Sequence, residues 1–323
     1  MENKNTGNDS FKKKRKLNYH VIFFIAVFAL FLFAMIKLWI WNKGEDSGYD
    51  PNEDTSEFDV ETMDHIQPLS SSRLEGYVDD GVTTLLCLGN SPFADNKGDG
   101  GLAQALAAQV DGVAYDGSFA GSYQTMKNEN WQSDYPADGV SLYQLTRAFC
   151  SGDYSVVDQA AASLGDEAKA TVAMLKEIDF SKIDMLVIMY DLSDYIDHRP
   201  LYDPNNDDNL VTWTGSLNAS LGLIEETYPH IRTIILSTPA CGQTIDDFYV
   251  DGDIHNLGNG TIPDYLNHQM NVILNNGVSY IDNYYGVINV DNRDQYLVDD
   301  YHLNEKGIQA IAQRFGHFFG TTE

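Results

Sequence analysis

Ser91, Asp299 and His302 are the residues of this chain whose types and spacing suit acyl transfer. Ser91 follows an apolar run, Thr83–Leu88 (TTLLCL), and the dipeptide Gly89-Asn90. A glycine before a serine at a strand end permits a tight turn that presents the hydroxyl at the mouth of a sheet. Far along the chain, Asp299-Asp300-Tyr301-His302 precedes a helix from about Asn304. An Asp three residues before a His can hold one ring nitrogen, fix the tautomer and leave the other nitrogen as base toward a hydroxyl. Each signal has a plainer alternative. Most serines in turns are only turn residues, and Asp299 or Asp300 could cap the following helix while His302 packs nearby. The two together weigh more, because first-strand and last-helix positions can converge at one sheet edge.

The intervening pattern supplies the elements that would bring them together. Short β-rich runs occur at Thr83–Leu88, Gly112–Tyr115, Met185–Tyr190, Ile231–Ser237 and Ser279–Asp282. Between them lie segments of helical period, such as Leu102, Leu106, Val110 and, near the end, Ile308, Ile311, Phe315, Phe318. Strands alternating with amphipathic helices predict a single three-layer α/β/α domain over 80–323 with a mostly parallel five-stranded sheet. Ligands of such sheets bind beyond the carboxyl ends of the strands, where Ser91 falls.

With these elements in place, the chain resembles the SGNH (GDSL-type) hydrolase superfamily over about residues 80 to 320, through GNS at 89–91 and DDYH at 299–302. The resemblance implies an SGNH, flavodoxin-like fold with Ser91 as nucleophile, His302 as base and Asp299 as its orienter. It further implies an oxyanion hole from the amides of Ser91 and Gly121 (in GSFAGSYQT) and a third-block donor at Ser193. Gly89, Asn90 and Asp194 are then supporting residues. The chain departs from the family pattern at three places. Asn90 stands for the first-block Asp, Asp191 for the third-block Gly, and Ser193 for the oxyanion Asn. Losing one oxyanion donor can cost ~10²–10³ in rate. A serine hydroxyl is shorter and rotates more freely than a carboxamide.

The amino end carries a different signal. Lys12–Lys16 (KKKRK) precede an unbroken apolar run from Val21 to Ile36, and Leu38-Trp39-Ile40-Trp41 extend it past Lys37. About 21 such residues suffice to cross a ~30 Å hydrocarbon core. The basic cluster places the amino terminus in the cytoplasm, and Trp39 and Trp41 suit the interface. A cleaved signal peptide would need a small-residue cleavage site, which IKLWIWNK lacks. The expected organisation is a cytoplasmic basic tail (1–19), a single-pass transmembrane helix (20–41), an acidic extracellular linker (42–79) ending in a short docking strand, and the domain at 80–323. The formal net charge is −28, yet residues 1–42 hold seven of the 20 Lys and Arg and two of the 48 acids. The strongly acidic remainder repels nucleic acid and anionic membrane surfaces.

Cys87, Cys150 and Cys241 form neither a disulfide framework nor a zinc site by spacing, although one bridge among them is open. Asp203–Asp208 and Asp251-Gly-Asp253 are rich in carboxylates without EF-hand spacing, so no metal and no cofactor is expected. Tyr123, Trp131, Tyr135 and Tyr143 could line a sugar-stacking cleft or simply pack. The reading is a membrane-anchored extracellular serine esterase acting on acyl esters of a surface glycan, or on small acyl esters. The alternatives are an acyltransferase that works with export or acylation machinery, and a degenerate domain that binds glycan without catalysis.

Overall fold

The computed structural model describes residues 19–42, 62–239, 241–289 and 291–320, with side chains of the first segment described over 23–37. The chain divides into two compact units, Met1–Asp59 and Val60–Glu323.

In the first unit, α1 (Tyr19–Asn42, 24 residues) covers the segment expected to span a membrane. Its described side chains are exposed, and all but Lys37 are apolar. Among the described residues no helix is long and apolar enough to cross a membrane. The segment expected to span at 20–41 lies within this helix.

The second unit is built on β1 (Thr84–Gly89), β2 (Val113–Asp116), β3 (Met185–Met189), β4 (Arg232–Leu236) and, after a hairpin of β5 (Gly242–Ile245) and β6 (Phe248–Asp251), β7 (Ser279–Ile281). The sheet order is β2-β1-β3-β4-β7, and every neighbouring pair is parallel. Each expected strand is present within a residue or two. Successive side chains of a strand face opposite ways. Accordingly Leu86 and Leu88 of β1 pack into one buried cluster, while Leu85 and Cys87 pack into the other. Both faces are covered, as a parallel sheet requires.

One cover consists of α3 (Leu102–Gln109) and the last helix, α12 (Glu305–Phe319). In α12, Ile308, Ile311, Ala312 and Phe315 recur at helical spacing and are buried against the sheet. The other cover holds α4 (Leu142–Ser151), α5 (Ser155–Leu164), α6 (Asp166–Glu177), α8 (Trp213–Thr227) and α9 (Ile262–Asn276). Four-residue helices complete the set: α2 (Ser91–Ala94), α7 (Ser193–Ile196), α10 (Asn283–Gly286) and α11 (Arg293–Tyr296). The α9 start is a capping box, with Thr261 and Asp264 satisfying each other's backbone amides, and Gly277 at φ 60° ends it.

One feature was not expected from the sequence. The β5–β6 hairpin turns through Asp246 and Asp247, both with positive φ (48° and 66°). Two left-handed positions are the mark of the tight hairpin turn, but Asp-Asp lacks the glycine that usually signals it. Near the end of the expected linker, where a short docking strand was expected, residues 62–79 pack against the domain. His65 and Tyr280 exchange backbone hydrogen bonds (2.9 and 2.7 Å), so the segment pairs with the edge of β7. Arg314 clamps Asp64 at 2.5 Å. An otherwise open sheet edge is thereby covered. The segment enters beside Asp282, at the carboxyl end of β7, and crosses to Asp184 below β3, where Tyr77 donates its hydroxyl.

Candidate active site

Strand order reverses direction between β1 and β3, the point at which sheets of this kind form a crevice beyond the carboxyl ends of their strands. Gly89 ends β1 at this point. Its φ is not positive; the glycine is needed because a Cβ would lie 1.9 Å from the carbonyl oxygen of Met189 on β3. Asn90 and Ser91 follow, and Ser91 opens α2. Asp191 comes two residues after β3, directly across the crevice.

Ser91 and Asp191 are joined. The Ser91 hydroxyl donates to Asp191 Oδ2. The other carboxylate oxygen, Oδ1, accepts from Asn90 Nδ2 (2.8 Å), the Ser193 amide (2.8 Å) and the Ser193 hydroxyl (2.5 Å). Asn90 completes the link by accepting from the Asp191 amide at 2.9 Å. Asp191 and Ser91 are both buried, so this carboxylate is held by four donors in a site of restricted water. Ser193, expected to supply an oxyanion donor, gives both its amide and its hydroxyl to Asp191. No hydrogen bond joins Ser91 to His302 among the described residues.

Gly121 lies in the loop after β2. That loop folds onto β1 through the Phe119 amide, which donates to the Gly89 carbonyl at 3.1 Å. Asn90 Nδ2 reaches the carbonyl of Ser122 at 3.0 Å, which brings the loop to the crevice. Gly121 is exposed and has φ 70°, a conformation that suits glycine. Lys97 braces the loop from behind, donating to the Ser118 carbonyl at 2.6 Å and to Thr171 at 2.8 Å.

Asp194 is fully buried one helix turn beyond Asp191. It accepts from the Gln124 amide (2.9 Å), the Thr125 amide (3.1 Å) and the Thr125 hydroxyl (2.6 Å). Burial pushes its carboxyl up to about 6, against the pull of these bonds and of Arg199. Its part is to fix the 122–126 segment.

Asp299 and His302 form the expected couple. His302 Nδ1 and Asp299 Oδ2 are 2.7 Å apart, and Asp299 Oδ1 accepts the amides of Tyr301 (3.0 Å) and His302 (2.9 Å). Burial alone would raise the Asp299 carboxyl, but the bonds from the His302 amide, the Tyr301 amide and the His302 ring outweigh it and hold it low. An ionised Asp299 at Nδ1 fixes a proton there and leaves Nε2 as the basic nitrogen. Neither Asp299 nor Asp300 caps the last helix. Asn304 does, accepting from the amides of Lys306 (2.9 Å) and Gly307 (3.1 Å). Asp300 instead accepts the amide (2.6 Å) and hydroxyl (2.8 Å) of Thr244, so the β5–β6 hairpin buttresses the loop that carries His302.

His302 Nε2 faces Asp95 Oδ2 at 4.0 Å. Asp95 caps the end of the short helix that Ser91 begins, its amide donating to the Ser91 carbonyl at 3.0 Å. The histidine thus stands over the serine-bearing turn. Burial raises the Asp95 carboxyl, with His302 opposing and Asp191 and Asp299 adding to the rise. The sequence reading did not single out Asp95 or give Asp191 a role of its own. A carboxylate at the position where the family pattern has a glycine was the available signal for Asp191.

A cavity of about 20 Å³ lies beside Asp191, walled by Tyr190, Trp213, Tyr265 and Gln269. It holds about one water molecule, too little for an extended acyl chain. Tyr123 packs under Arg199, Tyr135 under Lys127, and the Trp131 indole nitrogen is buried, so these rings brace loops rather than form an open stacking cleft. Cys87, Cys150 and Cys241 are free thiols.

No family model matches the chain, and no curated protein matches it. Solved structures do. One, 17% identical, covers 73% of this chain and 95% of its own with a TM-score of 0.54. A protein from Lactobacillus plantarum, 16% identical, covers 75% of this chain and 97% of its own at 0.51. A structure described as a possible lipase from Chitinophaga pinensis, 13% identical, covers 73% and 97% at 0.46. At these identities the likeness is one of fold alone, a parallel five-stranded sheet covered by helices on both faces.

Proposed function

We propose that this SGNH-type domain is a serine acyl esterase that acts on small acyl esters of a cell-surface polysaccharide and is anchored to the membrane by α1. The observation that carries the chemistry is the Asp299–His302 couple, whose Nε2 faces the turn that begins with Ser91. In the reaction, Ser91 turns from Asp191 toward His302 and loses its proton to Nε2 as its oxygen attacks the ester carbonyl. The tetrahedral intermediate collapses, the C–O bond to the alcohol breaks, and His302 returns the proton to that alcohol. Water then repeats the sequence on the acyl-serine, releasing the acid and restoring Ser91. The amides of Ser91 and Gly121 are the donors assigned to the oxyanion.

Asp191 makes this a slow enzyme. A carboxylate ~4 Å from a developing oxyanion costs about 4 kcal/mol at an effective dielectric of about 20. That is about a thousandfold in rate. The alternative reading, a degenerate domain that binds glycan without turnover, is favoured by the same observation, because the resting serine is bonded to a carboxylate and not to the histidine. The direct test compares the chain with its Ser91→Ala variant on p-nitrophenyl acetate. Turnover that disappears in the variant supports the esterase, and equal turnover in the two removes it. If the acyl group passes to a sugar hydroxyl instead of water, the chain is an acyltransferase served by acylation or export machinery. Release of acylated sugar in place of free acid separates these outcomes.

Support for the anchor comes from the basic run at 12–16 and from α1, whose described apolar side chains are exposed on every face. A helix apolar all round is unfavourable in water and suits a lipid environment. Resistance of the chain to alkaline carbonate extraction, lost on deleting residues 1–42, is the expected result. External protease should reach the domain on intact cells.

A further inference from the structure

We propose a second, non-catalytic site: a groove on the outer side of α8 and α9 that binds a neutral pyranose unit of a polysaccharide. It extends the polymer part of the reading above, but it stands on separate residues. The groove has a volume of about 250 Å³ and lies between the loop after Tyr202 and the outer face of α9.

Its features are those of carbohydrate recognition. Tyr202 is 52% exposed despite being an aromatic residue. Its ring is not loose, because it stacks on His268 with centroids 4.9 Å apart and planes 9° from parallel. A fixed, open aromatic face suits the C–H face of a sugar ring, which is apolar while its rim is polar. Along α9, His268, Asn271 and Asn275 follow at i, i+3 and i+7 and therefore share one face. The Asn271 and Asn275 carboxamides and the Asp207 carboxylate line the groove and make no side-chain hydrogen bond among the described residues. Amides that donate and accept, beside a carboxylate that accepts, match adjacent sugar hydroxyls.

The wall is assembled in advance. Asn218 on α8 donates to Asp208 of the loop at 2.7 Å and accepts from Asn276 of α9 at 2.9 Å, so one side chain ties loop and both helices together. A preformed wall lowers the ordering cost of binding. The choice of ligand follows from charge and geometry. The groove's carboxylates and the chain's net charge of −28 disfavour an anionic polymer. Among the described residues no group of three or more His, Cys, Asp or Glu side chains is arranged to hold a metal ion.

The test is calorimetric titration of the full chain carrying Ser91→Ala, so that binding is read without turnover. The probes are cellohexaose, chitohexaose and, as an anionic counterpart, a hyaluronan hexasaccharide. We expect at least one neutral hexamer to bind, Tyr202→Ala to weaken it about tenfold or more and Tyr202→Phe to retain it. The Tyr202→Phe result guards against a loss caused by misfolding. Absence of binding by both neutral hexamers, wild-type affinity in Tyr202→Ala, or equal or better binding of the anionic hexamer overturns the proposal. Because Ser91 is absent from the experiment, a failed esterase and a failed groove give different results.

Discussion

The hydroxyl of Ser91 donates to the carboxylate of Asp191, across the crevice between β1 and β3, while His302 Nε2 stands 4.0 Å from Asp95. Ser91 and His302, the nucleophile and base of the proposed esterase, thus each face an acid in the resting arrangement. On that proposal the main barrier to acyl transfer is electrostatic, and substitution should remove it.

Replacing Asp191 with glycine restores the residue of the family pattern and frees the Ser91 hydroxyl. Asp191→Gly should raise kcat on p-nitrophenyl acetate on the order of 10²-fold, part of the thousandfold estimated for the carboxylate. Adding Ser193→Asn supplies a carboxamide donor and should raise it further. A thermal melt run alongside separates faster chemistry from altered folding. Unchanged kcat with an intact melt would show that Asp191 is not the barrier, and lower kcat that it assists Ser91.

Asp299 and His302 should differ in their effects. His302→Ala removes the base and should lower kcat by about 10³-fold or more. Asp299→Asn keeps a hydrogen-bonding group but loses the charge that stabilises the imidazolium. Because the Asp299 side chain is 54% exposed, water should replace part of its contribution, and a loss of about 10–10²-fold is expected. Steady-state kinetics of both variants at one pH decide this order.

Gly89→Ala puts a methyl group against the Met189 carbonyl, 1.9 Å from its oxygen, where backbone and not a flexible side chain must yield. The strands β1 and β3 would have to separate beside the site. A loss of about 3 kcal/mol or more in urea unfolding is expected, larger than for an ordinary core substitution.

The buried Asp194 carboxyl makes stability depend on pH. Its folded value, about 6, lies above the ordinary 3.8. The folded chain therefore keeps this proton after the unfolded chain has released it. Its contribution favours the folded state below about pH 4 and is lost as pH rises through about 6. Asp194→Asn has no such titration. The stability of wild type relative to this variant should fall by about 1.5–3 kcal/mol from pH 4 to 7, read from urea midpoints. A constant difference across that range would refute the assignment.

The sequence alone determined the layered fold. The runs at 83–88, 112–115, 185–190, 231–237 and 279–282 became the five parallel strands, because continuous apolar runs divided by helical periods can bury their surface only in a covered parallel sheet. It also determined the Asp299–His302 couple, since a three-residue separation is local and its geometry follows from the turn itself. What it could not determine were relationships between residues about a hundred positions apart. A docking strand was expected near the end of the linker, but not its partner, β7, which lies more than two hundred residues along the chain. Gly89 was expected to serve a turn, yet its need comes from the approach of Met189 on the neighbouring strand. Ser193 was assigned to an oxyanion and Asp191 to a lost glycine. Only when β1 and β3 lie side by side does a buried carboxylate meet the Ser91 hydroxyl, because in a low-water crevice an acid takes every donor the fold brings within reach.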